Sequence, residues 1–265
     1  MPQTPEYTTV VPNRADAVRV VPLADVNETS VFHDDALAAA APAPNLTYRG
    51  GPVIGAVEIV TLYWGKAWKL AANKAMPPKL DAFFDAILTS SLMDELAEYG
   101  TPTTTIGHGR RTGSVTITSP NVRLSTTDGA VQHFLQHQIS VGSVPAPTLN
   151  TLYFVYLPPG VSVTQGGGRS CQVFCGYHSD INAAVFYAVM PYPTCKGCTG
   201  NLAALDALTS TSSHELCEAI TDPVPGQGWY DDDNGEIGDI CAWKTKQVAG
   251  YAVQLEWSNH SHSCI

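Results

Sequence analysis

Between Leu202 and Ile220 the residues Leu202, Leu205, Leu208, Leu216 and Ile220 recur at intervals of three, four or eight, and Pro223 ends the run. That spacing predicts a buried helix. The same stretch holds Ser212-Ser213-His214-Glu215-Leu216-Cys217-Glu218. Burying three ionisable side chains is costly unless they are paired or coordinated, so whatever fold this chain adopts must supply partners for them. His214 and Glu218, four apart, share one helix face, while Glu215 lies about 100° further round, beside an ion without needing to bind it. This is the arithmetic of the H-E-x-x-H zinc helix with a carboxylate in place of the second histidine. Zinc accepts both donor types at similar distances. The carboxylate hardens the site, which lets calcium, manganese or magnesium compete.

A third ligand is expected from the acidic, turn-rich segment Gly228-Trp229-Tyr230-Asp231-Asp232-Asp233-Asn234-Gly235-Glu236-Ile237-Gly238-Asp239. Glu236 is the favoured donor and Asp239 the alternative. An EF-hand reading fails, because the register that uses Gly235 puts Tyr230 first and Cys241 last, where carboxylates are required. His178, after Cys175-Gly176-Tyr177, is read as a ligand, a substrate contact or a group behind the ligands, against the plainer reading of a hydrogen-bonded core histidine. Tyr230 is the candidate to stabilise an oxyanion.

Around this helix the chain alternates strand and helix signals. The run Val57 to Trp64, rich in β-branched and aromatic residues, predicts a buried strand; Leu152 to Leu157 and Val185 to Met190 predict two more. Val115 to Thr118 alternates as a strand between loops. Helical spacing runs through Leu80, Phe83, Phe84, Ile87, Leu88, Leu92 and Leu96 up to Gly100, and a second helix is expected over Val131 to His137. The fold class is therefore α+β or mixed α/β, a single domain with a metal-binding helix. Residues 1–50, rich in Ala and Pro and ending in linker signals, are read as an N-terminal arm or pro-segment, and residues 51–265 as the domain. With 24 acidic against 14 basic residues the formal net charge is -10, which disfavours nucleic acid. The apolar runs are far shorter than the roughly 20 residues a membrane helix requires.

Seven cysteines point to an oxidising compartment, and an odd number leaves at least one thiol unpaired in a monomer. Cys171 with Cys175 and Cys195 with Cys198 have spacings usable for a four-thiolate zinc site, but disulfides are favoured. Cys241 with Cys264 is the next expected pair, and Cys217 the expected free thiol. Spacing leaves the connectivity open.

The run Ser213 to Glu218, then Thr221-Asp222-Pro223, Gly228 to Asp231, Glu236 to Cys241 and Val253 to Trp257, is similar to the EXORDIUM or phosphate-induced protein family and its microbial metallopeptidase-like relatives. Tyr63-Trp64-Gly65, Phe174 to His178 and Cys195 to Cys198 extend the resemblance over most of the domain. It implies one secreted domain. Cys217 departs from the small apolar residue expected there, and Asp222 from the asparagine common before proline, so Asp222 is not assigned to the metal. The expected function is a secreted zinc-dependent peptidase acting on peptide or protein, with His214, Glu218 and Glu236 as ligands, Glu215 as proton acceptor and Tyr230 beside the oxyanion. The alternative is a non-catalytic extracellular protein whose same residues hold a structural divalent cation while its surface binds cell-wall or protein partners.

Overall fold

The computed structural model describes residues 20–23 and 43–265. Its frame is a six-stranded mixed sheet built from β1 (Val20–Pro22), β2 (Glu58–Trp64), β3 (Arg110–Ile117), β4 (Thr151–Tyr156), β5 (Phe174–Ile181) and β6 (Val185–Met190), in the order β1-β5-β6-β4-β2-β3. Strands β6, β4, β2 and β3 run parallel; β5 is antiparallel to β6, and β1 to β5. Parallel strands need long crossovers: α1 (Met76–Ile87) lies in the one between β2 and β3, α2 (Asp128–Ser140) in the one between β3 and β4, and β5 in the one between β4 and β6.

Successive residues of a strand face opposite sides, which gives this sheet two cores. Ile59, Tyr63, Leu152, Phe154, Tyr156 and Met190 pack with Leu80, Phe83, Phe84 and Ile87 of α1 on one side. Val60, Leu62, Trp64, Tyr153, Val155 and Val189 pack with Val131, Phe134 and Leu135 of α2 on the other. The long helix α3 (Ala204–Thr221) lies on the α1 side, with every residue from Ala207 to Thr221 buried. Its outer surface is covered by a hairpin of β7 (Thr245–Val248) and β8 (Tyr251–Gln254), to which Thr209 Oγ1 donates at Ala252 O (2.8 Å) and from which Gln254 N donates to Ser213 Oγ (2.9 Å). Other hydroxyls of the helix find partners too: Ser213 on Ser210 O, Thr221 on Cys217 O, and Ser212 with the Tyr156 hydroxyl at 2.7 Å. A helix rich in Ser and Thr can thus be buried all round.

The mixed fold class stands, with departures in detail. The helical pattern from Leu80 to Leu96 is not one helix: α1 ends at Ile87, and Ser90 caps a second short helix, Ser91–Glu95, by accepting from Leu92 N. Ser90 in an extended conformation stops the first helix and starts the next. His178 belongs to β5, which no alternation had marked. Of the arm, residues 1–19 and 24–42 lie outside the described residues. The expected boundary at 50 is late, because Leu46 is already buried, Thr47–Tyr48 pairs with Trp229–Tyr230, and Asn45 N donates to Asp231 Oδ2 at 2.7 Å.

Three disulfides join Cys171 to Cys195, Cys175 to Cys198 and Cys241 to Cys264, while Cys217 is free and buried. The first two bridges cross between the two close-spaced pairs rather than closing either, and they use up the thiols a four-thiolate zinc site would need. Thiol titration of the denatured, unreduced protein should therefore find about one free thiol. Several would refute this pairing. Among the described residues no helix is long and apolar enough to cross a membrane.

Candidate metal centre

His178 on β5 and His214, Glu215 and Glu218 on α3 face one another across the narrow space between strand and helix, and all four are fully buried. Two glycines set the approach. A Cβ at Gly176 would come within 2.8 Å of Thr211 and Met190 and 3.2 Å from Glu215 Oε1, and one at Gly238 within 2.9 Å of both His214 and Glu218. The acidic segment can close over the helix only because position 238 has no side chain.

His178 Nε2 lies 3.3 Å from the carbonyl of Asp222, which can only accept, so Nε2 carries a proton. Nδ1 then faces the carboxylates, 3.2 Å from Glu215 Oε2 and 3.5 Å from Glu218 Oε2. His214 Nε2 sits 2.9 Å from Glu218 Oε1 and 4.0 Å from Asp239 Oδ1. The 2.9 Å contact is not aligned as a hydrogen bond: both His214 nitrogens, both Glu218 oxygens and Glu215 Oε1 are buried without a hydrogen-bond partner. Buried polar atoms are nearly always satisfied, so five such atoms in one cluster mark a place built for something else. Donor atoms of His178, Glu215 and Glu218, and of His214, Glu218 and Asp239, form two groups, each with its atoms within 4.8 Å of one another.

Helical spacing therefore brings His214 and Glu218 together as expected. Of the two loop candidates it is Asp239 that reaches this pair, from the rim, where its side chain keeps 21% exposure. Glu236, the favoured donor on sequence, is instead on the far side of His178, 3.5 Å from Nε2. Its Oε1 is itself buried without a hydrogen-bond partner. Tyr230 stands in the small pairing with Thr47–Tyr48, its ring beneath the Arg49 guanidinium at 5.6 Å, so an oxyanion role gains no support from its position. Asp222 is occupied by the backbone N–H groups of Gly226, Gln227 and Gly228, at 2.5–3.1 Å, and holds the turn after α3. Glu256 was missed: it is buried, both its oxygens lack partners, and burial foremost holds its carboxyl well above the usual range. Its only sequence signal is a glutamate between Leu255 and Trp257 in an otherwise apolar segment.

Burial alone would depress the histidines, but the carboxylates outweigh it: Glu218, with Glu215 and Asp239, raises His214 to about 10, and Glu236, Glu215 and Glu218 raise His178 well above its ordinary value. Glu218 is held down to about 2 despite its burial, by His214 and His178. Asp239 is pushed up to about 8 by desolvation of its carboxyl and by the charge of Glu218. Without a cation, then, the pair is imidazolium and carboxylate. Its contribution to stability through His214 is complete below the ordinary histidine value of about 6.5 and is lost as pH rises through about 10. Through Glu218 it is present above 4.5 and is lost as pH falls through about 2. A cation on His214 must displace that proton, so its apparent affinity should climb about tenfold per pH unit for each proton released. Calorimetry in buffers of different protonation enthalpy, between pH 6 and 8, measures this; an affinity independent of pH there would remove His214 from the ligand set.

An open cavity among the described residues lies elsewhere. It has a volume of about 420 Å³ at the carboxyl ends of β2 and β3, between Tyr63, Trp68 and Thr116. Its carboxylate, Asp81, already accepts from Thr61, Tyr63 and Ser114 at 2.6–2.8 Å, so the chemistry concentrates at the closed cluster instead. Comparison of the chain with family models, with curated proteins and with solved structures finds no match.

Proposed function

We propose that this protein is a secreted metal-dependent peptidase whose cation is held by His214, Glu218 and Asp239. The observation that carries the reading is the set of buried, unpartnered donor atoms on α3 with Glu215 beside them. A divalent cation bound there supplies Lewis-acid polarisation of water and of a peptide carbonyl. Zinc suits the mixed nitrogen and oxygen donors, with calcium or manganese as competitors. Glu215 Oε1 is free to take the proton of the attacking water and return it to the leaving nitrogen, and His178 holds Glu215 in place through Oε2. A polypeptide substrate fits the edge of the sheet beside this cluster. There β5, which carries His178 and Gly176, already accepts an antiparallel three-residue segment, Val20–Pro22, as an added strand. That same placement supports reading the N-terminal arm as a pro-segment. Secretion is the compartment in which three disulfides persist.

A second reading has one observation in its favour: His178, His214, Glu215 and Glu218 are entirely shielded from solvent, as suits a structural cation in a non-catalytic extracellular protein. Metal analysis of the purified protein with digestion of a broad peptide library separates the two. Zinc near one equivalent with cleavage abolished by chelator supports the peptidase. Calcium with no cleavage at any metal loading supports the structural cation.

A further inference from the structure

Glu218 belongs to both donor groups, and its two oxygens point different ways: Oε1 to His214 Nε2 and Oε2 to His178 Nδ1. Around a tetrahedral ion with bonds of about 2.0–2.1 Å, two donor atoms stand roughly 3.3 Å apart. The separations from His178 Nδ1 to Glu215 Oε2 and Glu218 Oε2, 3.2 and 3.5 Å, match that spacing. Nε2 faces the Asp222 carbonyl, so Nδ1 is the nitrogen turned to the two carboxylates, and a cation there would take the place of the proton it shares with Glu215 Oε2. Glu218 Oε2 has no hydrogen-bond partner and is completely buried, so it is aimed into this second group without being satisfied by it.

We infer that the centre has a second, weaker cation site made by His178, Glu215 and Glu218, with Glu218 bridging the two ions, and that filling it inhibits the enzyme. The inference rests on the peptidase reading for its second half: an ion on Glu215 occupies the carboxylate that must accept the water's proton. The second ion should bind at least about tenfold more weakly than the first, because it shares a ligand and sits beside an existing positive charge. Turnover at cation concentrations that fill it should fall by about tenfold or more, as expected when a general base is withdrawn.

The test is titration of the metal-free full chain with zinc, read by equilibrium dialysis with elemental analysis alongside the initial rate of peptide cleavage. Two steps totalling two equivalents are expected, with the rate rising over the first and falling over the second. His178→Asn should delete the second step and keep the first. Glu215→Gln, nearly isosteric, should weaken the second step by at least about tenfold if the asparagine variant fails to fold, since an amide is a poorer ligand than a carboxylate. One equivalent in wild type overturns the second site while leaving the peptidase reading intact; none removes both. Two steps that survive both variants put the second ion elsewhere, and a second step without loss of rate overturns the inhibition.

Discussion

Replacing Glu218 with alanine should empty the centre and abolish the stabilisation that a cation confers. Among the described residues Glu218 offers the nearest carboxylate oxygen to His214 Nε2, at 2.9 Å against 4.0 Å for Asp239, and its other oxygen lies 3.5 Å from His178, so no neighbouring carboxylate can take its place without moving. A cation that binds only the folded state adds about 4 kcal/mol when present at about a thousand times its dissociation constant. For a protein of this size that is a shift of roughly 8–16 °C in Tm between metal-loaded and chelated samples. The wild type should show such a shift and Glu218→Ala should show almost none. The chelated variant should itself melt below the chelated wild type, since two buried histidines lose their counter-charge. Thermal melts with and without chelator give both comparisons. A variant that gains as much from metal as the wild type would refute the ligand assignment and direct attention to His178 with the acidic segment.

Glu215→Gln should behave differently in kind. Its shape and its contact with His178 are retained while its capacity to accept a proton is lost, so the first equivalent of metal should remain bound and turnover should fall by roughly 10²–10⁴. The wild-type carboxyl is raised above its ordinary value, chiefly by burial and against the pull of His178, which brings it nearer the range useful to a base. Measurement of kcat at fixed, near-stoichiometric zinc, with metal content determined on the same sample, decides the matter. Full activity in the glutamine variant would exclude Glu215 as the base.

The part of the centre carried by one helix was legible in the sequence, because the spacing of His214 and Glu218 is a property of the helix itself. The part carried by tertiary structure was not. Glu236 and Asp239 are three residues apart in a segment without periodicity, and only the close contact of Gly238 with His214 and Glu218 decides that Asp239 reaches the pair and Glu236 does not. His178 was noticed for its neighbours, yet its strand was hidden because β5 is buried along most of its length and shows no alternation. Three of the four parallel strands were readable as apolar runs, and β3 only in part, by the alternation at its end; their order was not, since order depends on crossovers whose helices carry no record of direction. Of the disulfides, Cys241 with Cys264 and the free Cys217 were legible, whereas the connectivity of the other four cysteines was left open by spacing and is settled by the fold, which sets Cys171 beside Cys195 and Cys175 beside Cys198, each more than twenty residues away.

Helix α3 is flanked by β5 on one side and by the hairpin and acidic segment on the other, and of the proposed ligands only Asp239 reaches an exposed rim. An ion or a water molecule would therefore enter past Asp239, and a local opening of the acidic segment would set the pace for both. Metal uptake and turnover should then share one gating step, so a change in that segment would alter the two rates together.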